Sequence, residues 1–232
     1  MKFGIEHHAV LAGLLYKQAL TQGGNGAAAV VGQAVSAYGR ERGHRMSLRA
    51  QADGQPLDMI SYMAYGEWAA DPGQESHSEA YLDEGHLTTR VTQCPWQQAW
   101  QKTSLEPYGR FYCLYVDQAI LQGFNPSLRL EVPSLLTAGQ GCCVFRWRDA
   151  WADPVTQRRL EALQEEVGER AVRDWEYHVG HLYATTAKVY HKYFGEAAQP
   201  ILDAALDEFA ARYGQVSREL VLQQAQQDFD TL

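Results

Sequence analysis

Ser76-His77-Ser78-Glu79-Ala80-Tyr81-Leu82-Asp83-Glu84-Gly85-His86-Leu87-Thr88-Thr89-Arg90-Val91-Thr92-Gln93-Cys94 is the stretch where the period of the chain changes. Ser76 to Leu82 and His86 to Cys94 flank Asp83-Glu84-Gly85, which is hairpin-turn chemistry, so the two runs read as an antiparallel pair. A second pair follows, Leu128 to Leu136 and Gly141 to Trp147, around Thr137-Ala138-Gly139-Gln140. Between the pairs lie two helical stretches. Pro95 opens one that runs to about Thr103, proline being tolerated at a first helical position. Gly109 to Leu121 forms the other, closed by Gly123 and Asn125-Pro126. Four strands in two hairpins, with helices inserted, predict one small antiparallel sheet in an α+β fold.

Outward from the sheet both ends read helical. Glu6 to Leu20 carries Ala9, Leu11, Ala12, Leu14 and Leu15 at helical spacing and stops at Gln22-Gly23-Gly24-Asn25-Gly26. Ala27 to Arg40, rich in Ala and Val, predicts a helix packed closely on a neighbour; Gly39 and Gly43 bracket a basic stretch, and helix resumes through Arg49. A third piece spans Leu57 to Trp68, before a turn at Asp71-Pro72-Gly73. Beyond the sheet, Asp153 caps and Pro154 begins a helix through Val167, followed by Glu169 to Phe194, Ala197 to Tyr213 and Gln215 to Gln227. No Ser/Pro/Gly-rich linker and no repeat divides the chain, so residues 1–232 read as a single α+β domain.

The 232 residues are 46% hydrophobic, with 13 Tyr, 7 Phe and 6 Trp, enough to bury a core. A formal net charge of −8 gives no general field for phosphate backbones, which argues against nucleic acid as a partner. The seven apolar residues Ala9 to Leu15 are too few for a spanning helix. Glu6, His7 and His8 before them and Tyr16-Lys17-Gln18 after them suit the start of an amphipathic helix rather than a signal peptide. No membrane association is expected, and with four sparse cysteines, read as reduced thiols, the expected compartment is the cytoplasm. Self-association into a homo-oligomer stays open.

Three places carry chemistry. Cys113 and Asp117 are four apart, on one face of a helix. A carboxylate raises a neighbouring thiol's pKa, which weakens Cys113 as a nucleophile unless a cation is near, and a buried cysteine beside a surface acid explains the pair without function. His178 and His181 share a helix face and suit metal ligation or proton transfer. No third ligand lies nearby in sequence (Cys113, Cys143 or Asp117 would have to supply it), whether a metal binds is left unknown, and packed, hydrogen-bonded histidines are the plainer reading. Arg40, Arg42, Arg45 and Arg49 form a basic run, either a solvated helix end or a carboxylate clamp, with Gly39 and Gly43 allowing close approach of a ligand. Asn125 at a helix end suits either a polar ligand or a simple stop signal. Neither GxxxxGK[ST], GxGxxG nor GxSxG occurs, so no nucleotide cofactor and no serine-hydrolase chemistry is expected.

Tyr38-Gly39-Arg40-Glu41-Arg42-Gly43-His44-Arg45-Met46, Cys94-Pro95-Trp96-Gln97-Gln98-Ala99-Trp100, Tyr112-Cys113 with Asp117, Gly123-Phe124-Asn125-Pro126 and Cys143-Val144-Phe145 together resemble the L-2-amino-thiazoline-4-carboxylic acid hydrolase family, from about Glu6 to Trp147. The resemblance implies hydrolysis of a carbon–nitrogen bond in a small cyclic amidine, such as a 2-aminothiazoline carboxylate. Such a ring opening needs a nucleophile or base, a proton for the leaving nitrogen and a cation for the substrate carboxylate. Residue chemistry offers Cys113, or water activated by Asp117, for attack and His178 or His181 for the proton. Arg45 would hold the carboxylate, with Asn125, Tyr112 and Tyr183 as further substrate contacts. Two alternatives remain: a non-catalytic small-ligand-binding module of the vinyl-reductase-like type, by analogy, or an enzyme of ring-forming elimination in natural-product biosynthesis. Catalysis predicts that residues from all three zones meet around one enclosed cavity.

Overall fold

Asp83-Glu84-Gly85-His86 forms the expected hairpin turn. Glu84 and Gly85 take positive φ of 50° and 81°, the left-handed pair a two-residue hairpin needs, and Asp83 pairs with His86 across the turn. In the computed structural model, which describes residues 2–70, 72–150 and 153–230, this hairpin joins β1 (His77–Asp83) to β2 (His86–Gln93). The second hairpin joins β3 (Leu130–Ser134) to β4 (Cys143–Trp147). All neighbours are antiparallel in the order β1-β2-β4-β3. Val91 faces Cys143, Thr89 faces Phe145 and Leu87 faces Trp147 across the central seam. Directly opposed residues share a sheet face, so these six side chains form one surface.

The helices are α1 (Ile5–Gln22), α2 (Ala27–Ala52), α3 (Met59–Ala64), α4 (Pro95–Lys102), α5 (Glu106–Phe124), α6 (Pro154–Val167), α7 (Trp175–Phe194), α8 (Ala198–Tyr213) and α9 (Gln215–Gln224). The fold is therefore α+β, with a four-stranded antiparallel sheet and helices from both ends of the chain. The main core draws side chains from α1 and α2 through to α8 and α9. No helix among the described residues is long and apolar enough to cross a membrane.

Several sequence expectations need correction. α1 is not amphipathic: His8 to Tyr16 are buried without interruption, because α2, α4, α5, α7 and α8 surround it. α2 does not break at Gly39 and Gly43 but runs unbroken to Ala52. The missing side chains serve a helix–helix seam: a methyl group on Gly43 would overlap the carbonyl oxygen of Ile120, and one on Gly123 would overlap that of Arg40. What Gly39 and Gly43 admit is thus the backbone of α5, not a ligand. The piece expected over Leu57–Trp68 is helical only from Met59 to Ala64, capped by Asp58 accepting from the Ser61 amide. The helix expected from Glu169 starts at Trp175, where the Asp174 side chain takes the Tyr177 amide; a 3₁₀ turn, Gly168–Ala171, precedes it. Asp153 and Pro154 open α6 as expected. The expected turn at Asp71 lies partly outside the described residues.

Candidate functional site

α5 lies between α2 and the sheet. A cavity of about 170 Å³ opens where its outer face meets the strand surface. α5 supplies Tyr112, Cys113, Val116 and Asp117; the strands supply Val91, Cys143 and Phe145; Trp68 and Trp96 close one end. The four-residue spacing of Cys113 and Asp117 places both in the wall, as their helical positions require. Both are only partly accessible, and the cavity is what exposes them. Burial raises the Asp117 carboxyl to about 6, Arg42 pulling the other way. Asp117 accepts no hydrogen bond from the described residues. Burial, Cys94 and Asp117 push the Cys113 thiol well above its ordinary range, and burial takes Cys143 to about 11. The cavity therefore holds one ionisable carboxylate among protonated thiols and aromatic rings.

The aromatic end is held by a buried polar network. The indole of Trp96 donates to His8 Nδ1 at 3.1 Å, so His8 carries its proton on Nε2 and gives it to the Tyr38 hydroxyl at 3.0 Å. Trp68 stacks on Trp175 with centroids 5.5 Å apart, and the Arg42 guanidinium lies 3.7 Å from its ring centroid, a cation–π contact. Arg42, Arg45 and Arg49 share one face of α2 and converge on Glu67, which is fully buried. Arg45 grips Glu67 with two bonds, Nε at 3.0 Å and Nη2 at 2.9 Å; Arg49 adds one at 2.7 Å and Arg42 one at 3.3 Å. Burial alone would raise Glu67, but Arg45 and Arg42 override it and hold the carboxyl far below its usual range.

Of the residues singled out in the sequence, the structure brings Tyr112, Cys113 and Asp117 together. Arg45 has no exposure; besides Glu67 it donates to the Phe229 carbonyl at 2.9 Å and to His181 Nδ1 at 3.2 Å. His181 donates a hydrogen bond from Nε2 to Glu41 at 2.8 Å, and His178 donates from Nε2 to the Glu67 carbonyl at 3.0 Å. Burial holds both imidazoles neutral, lowering His178 to about 3 and His181 to about 4. Neither lines the cavity; His178 reaches it only through Trp68, whose ring centroid lies 5.5 Å away. Asn125 caps the end of α5, donating to the Leu57 carbonyl and accepting the Ser127 amide. Tyr183 lies in the main core. Among the described residues, no three His, Cys, Asp or Glu side chains are grouped to hold a metal ion.

Glu67, His8, Trp68 and Trp96 were not among the expected site residues. The spacing puts Arg42, Arg45 and Arg49 on one helical face, and only once that face is buried does it require a carboxylate. Nothing local to Glu67 indicated that it was the one.

The family model described as L-2-amino-thiazoline-4-carboxylic acid hydrolase matches residues 2–147. The chain belongs to that family. Every residue lining the cavity falls inside the matched stretch, whereas His178, His181 and Tyr183 lie beyond it. No curated protein and no solved structure matches the chain.

Proposed function

We propose that the cavity between α5 and the sheet hydrolyses a carbon–nitrogen bond of a small cyclic amidine, with Asp117 as the catalytic base. The observation that carries this is a carboxylate without a hydrogen-bond partner among the described residues, set in an apolar cavity with its pKa near 6, in a chain of this family. An amidine presents N–H groups in a fork that a carboxylate accepts, and a base titrating near neutrality is well matched to proton transfer. Asp117 takes a proton from water as the water oxygen bonds to the amidine carbon. It returns that proton to the ring nitrogen as the carbon–nitrogen bond breaks. The second water proton, lost from the new hydroxyl as it becomes the carbonyl, also ends on the released amine, so one water is added and the ring opens. Cys113, protonated at neutral pH, forms wall rather than nucleophile. His178 and His181 act at a distance, by holding Glu67 and the α7 face behind Trp68. Among the described residues no basic side chain lines the cavity, and Arg45 is bonded to Glu67, so the amidine head, not a substrate carboxylate, is the group recognised.

The test is turnover of 2-aminothiazoline and of its 4-carboxylate by the wild type and by Asp117→Asn. Wild type should open both rings with kcat/KM within about tenfold of each other, and Asp117→Asn should lose at least about a thousandfold. Thiol titration of the product separates breakage of the ring carbon–nitrogen bond from breakage of the carbon–sulfur bond, which releases a free thiol. The predominantly apolar wall favours a second reading, a ligand-binding module. Saturable binding of these amidines with no product would establish that reading instead.

A further inference from the structure

A second cavity, of about 220 Å³, shares no lining residue with the first. Arg49, Arg170 and Arg173 line it, with Asp53 and Tyr65. In a chain of net charge −8 this is a local excess of cations. Asp53 is already engaged, accepting from the Tyr65 hydroxyl at 2.8 Å and pairing with Arg170 at 3.3 Å. Arg170 also donates to the Glu166 carbonyl at 3.3 Å. Arg49 binds Glu67 through Nη1; its Nη2 has no partner among the described residues but is shut off from solvent, so it lies behind the wall of the hollow. Arg173 has no carboxylate partner among the described residues, and its Nε is likewise buried and unbonded. The donors that can face the hollow are the two Nη groups of Arg173, which make no hydrogen bond among the described residues, and the exposed guanidinium of Arg170; such forks fit the oxygens of a compact anion.

We propose that this cavity binds a small oxyanion, a phosphate or a compact carboxylate, at a site separate from the one bearing Asp117. Such an anion would bear on the first cavity through Glu67. Arg49 holds the Glu67 side chain, and the Arg173 amide donates to the Glu67 carbonyl at 2.7 Å, the same carbonyl that receives His178. Trp68, the next residue, is the aromatic wall of the first cavity. An anion drawing Arg49 and Arg173 together therefore pulls on both sides of Glu67, and the indole beside it reports the event.

The experiment titrates the full-length protein with sodium phosphate, and separately with sodium succinate, at ionic strength held constant with sodium chloride. Thermal midpoint and tryptophan fluorescence are read together. A saturable rise of the midpoint with a fluorescence change is expected for at least one of the two anions. Saturation by phosphate alone assigns a phosphate group, and by succinate alone a carboxylate. Arg173→Gln and Arg170→Gln, each checked for unchanged circular dichroism, should weaken the apparent affinity at least tenfold. A midpoint that ignores both anions, or two variants that titrate like the wild type, would overturn the proposal, whatever the outcome of the amidine assays.

Discussion

As the proposed base, Asp117 would set activity and stability against each other. Its pKa in the fold, about 6, stands above the ordinary 3.8 because burial disfavours the charged form. The stabilising protonated form is present below about pH 4 and is lost as pH rises through 6. At neutral pH the ionised carboxylate therefore destabilises the protein, by at most about 3 kcal/mol. Asp117→Asn should raise the thermal midpoint by several degrees while hydrolysis is lost; a lowered midpoint would mean that the carboxylate has a bonded partner. In the wild type, kcat/KM should climb with unit slope toward a plateau above about pH 6, and a profile flat from pH 5 to 8 would remove Asp117 as the base. Cys113→Ala should retain turnover within about tenfold, and its loss would return the attack to the thiol. The Cys113–Asp117 pair was legible because helical spacing alone places both on one face. Arg45 was not, because spacing names the face but not the group packed against it.

Among the elements, the seam between α2 and α5 determines where the site can form. α2 carries the arginines that hold Glu67, and α5 carries Tyr112, Cys113 and Asp117 in the cavity wall, so the seam fixes where α5 stands. Gly43 and Gly123 each lie against the opposite backbone with no room for a methyl group. Gly43→Ala or Gly123→Ala should destabilise by about 1–3 kcal/mol or more through overpacking, read as a lower denaturant midpoint at unchanged slope. Unchanged midpoints in both would mean that the helices slide apart without penalty. In the sequence Gly43 pointed to close approach, whereas Gly123 read as a helix stop; α5 in fact runs through it to Phe124. That the approaching group is a helix backbone depended on which helix folds beside them, which no local pattern encodes.

Across the whole molecule, buried neutral histidines govern the response to acid. His178 and His181 titrate near 3 and 4 in the fold against an ordinary 6.5, because burial opposes their charging. The unfolded chain then binds more protons than the folded one throughout that interval, so stability is full above about pH 6.5 and falls as pH drops toward 4. The two depressed imidazoles together outweigh the opposite contribution of Asp117. The net loss should amount to several kcal/mol, seen as a thermal midpoint that falls steadily between pH 6.5 and 4. A midpoint that is flat or rises over this range would show that the imidazoles are reached by water. We propose further that the chain unfolds as one unit, since core side chains come from α1 through α9; two resolved calorimetric transitions would divide it.

Local chemistry by itself determined the elements. Turn chemistry at Asp83-Glu84-Gly85, proline at helix starts and aspartate caps act within a few residues, so α+β class, both hairpins and most helix bounds follow from the sequence. It also placed Cys113 and Asp117 side by side. Only the tertiary structure decided which groups meet across distance: that Glu67 occupies the arginine face, that His178 and His181 stay neutral behind Trp68, and that α1 is enclosed on all sides. Those outcomes depend on which surfaces exclude water together, and burial belongs to the packed assembly of elements rather than to any one segment.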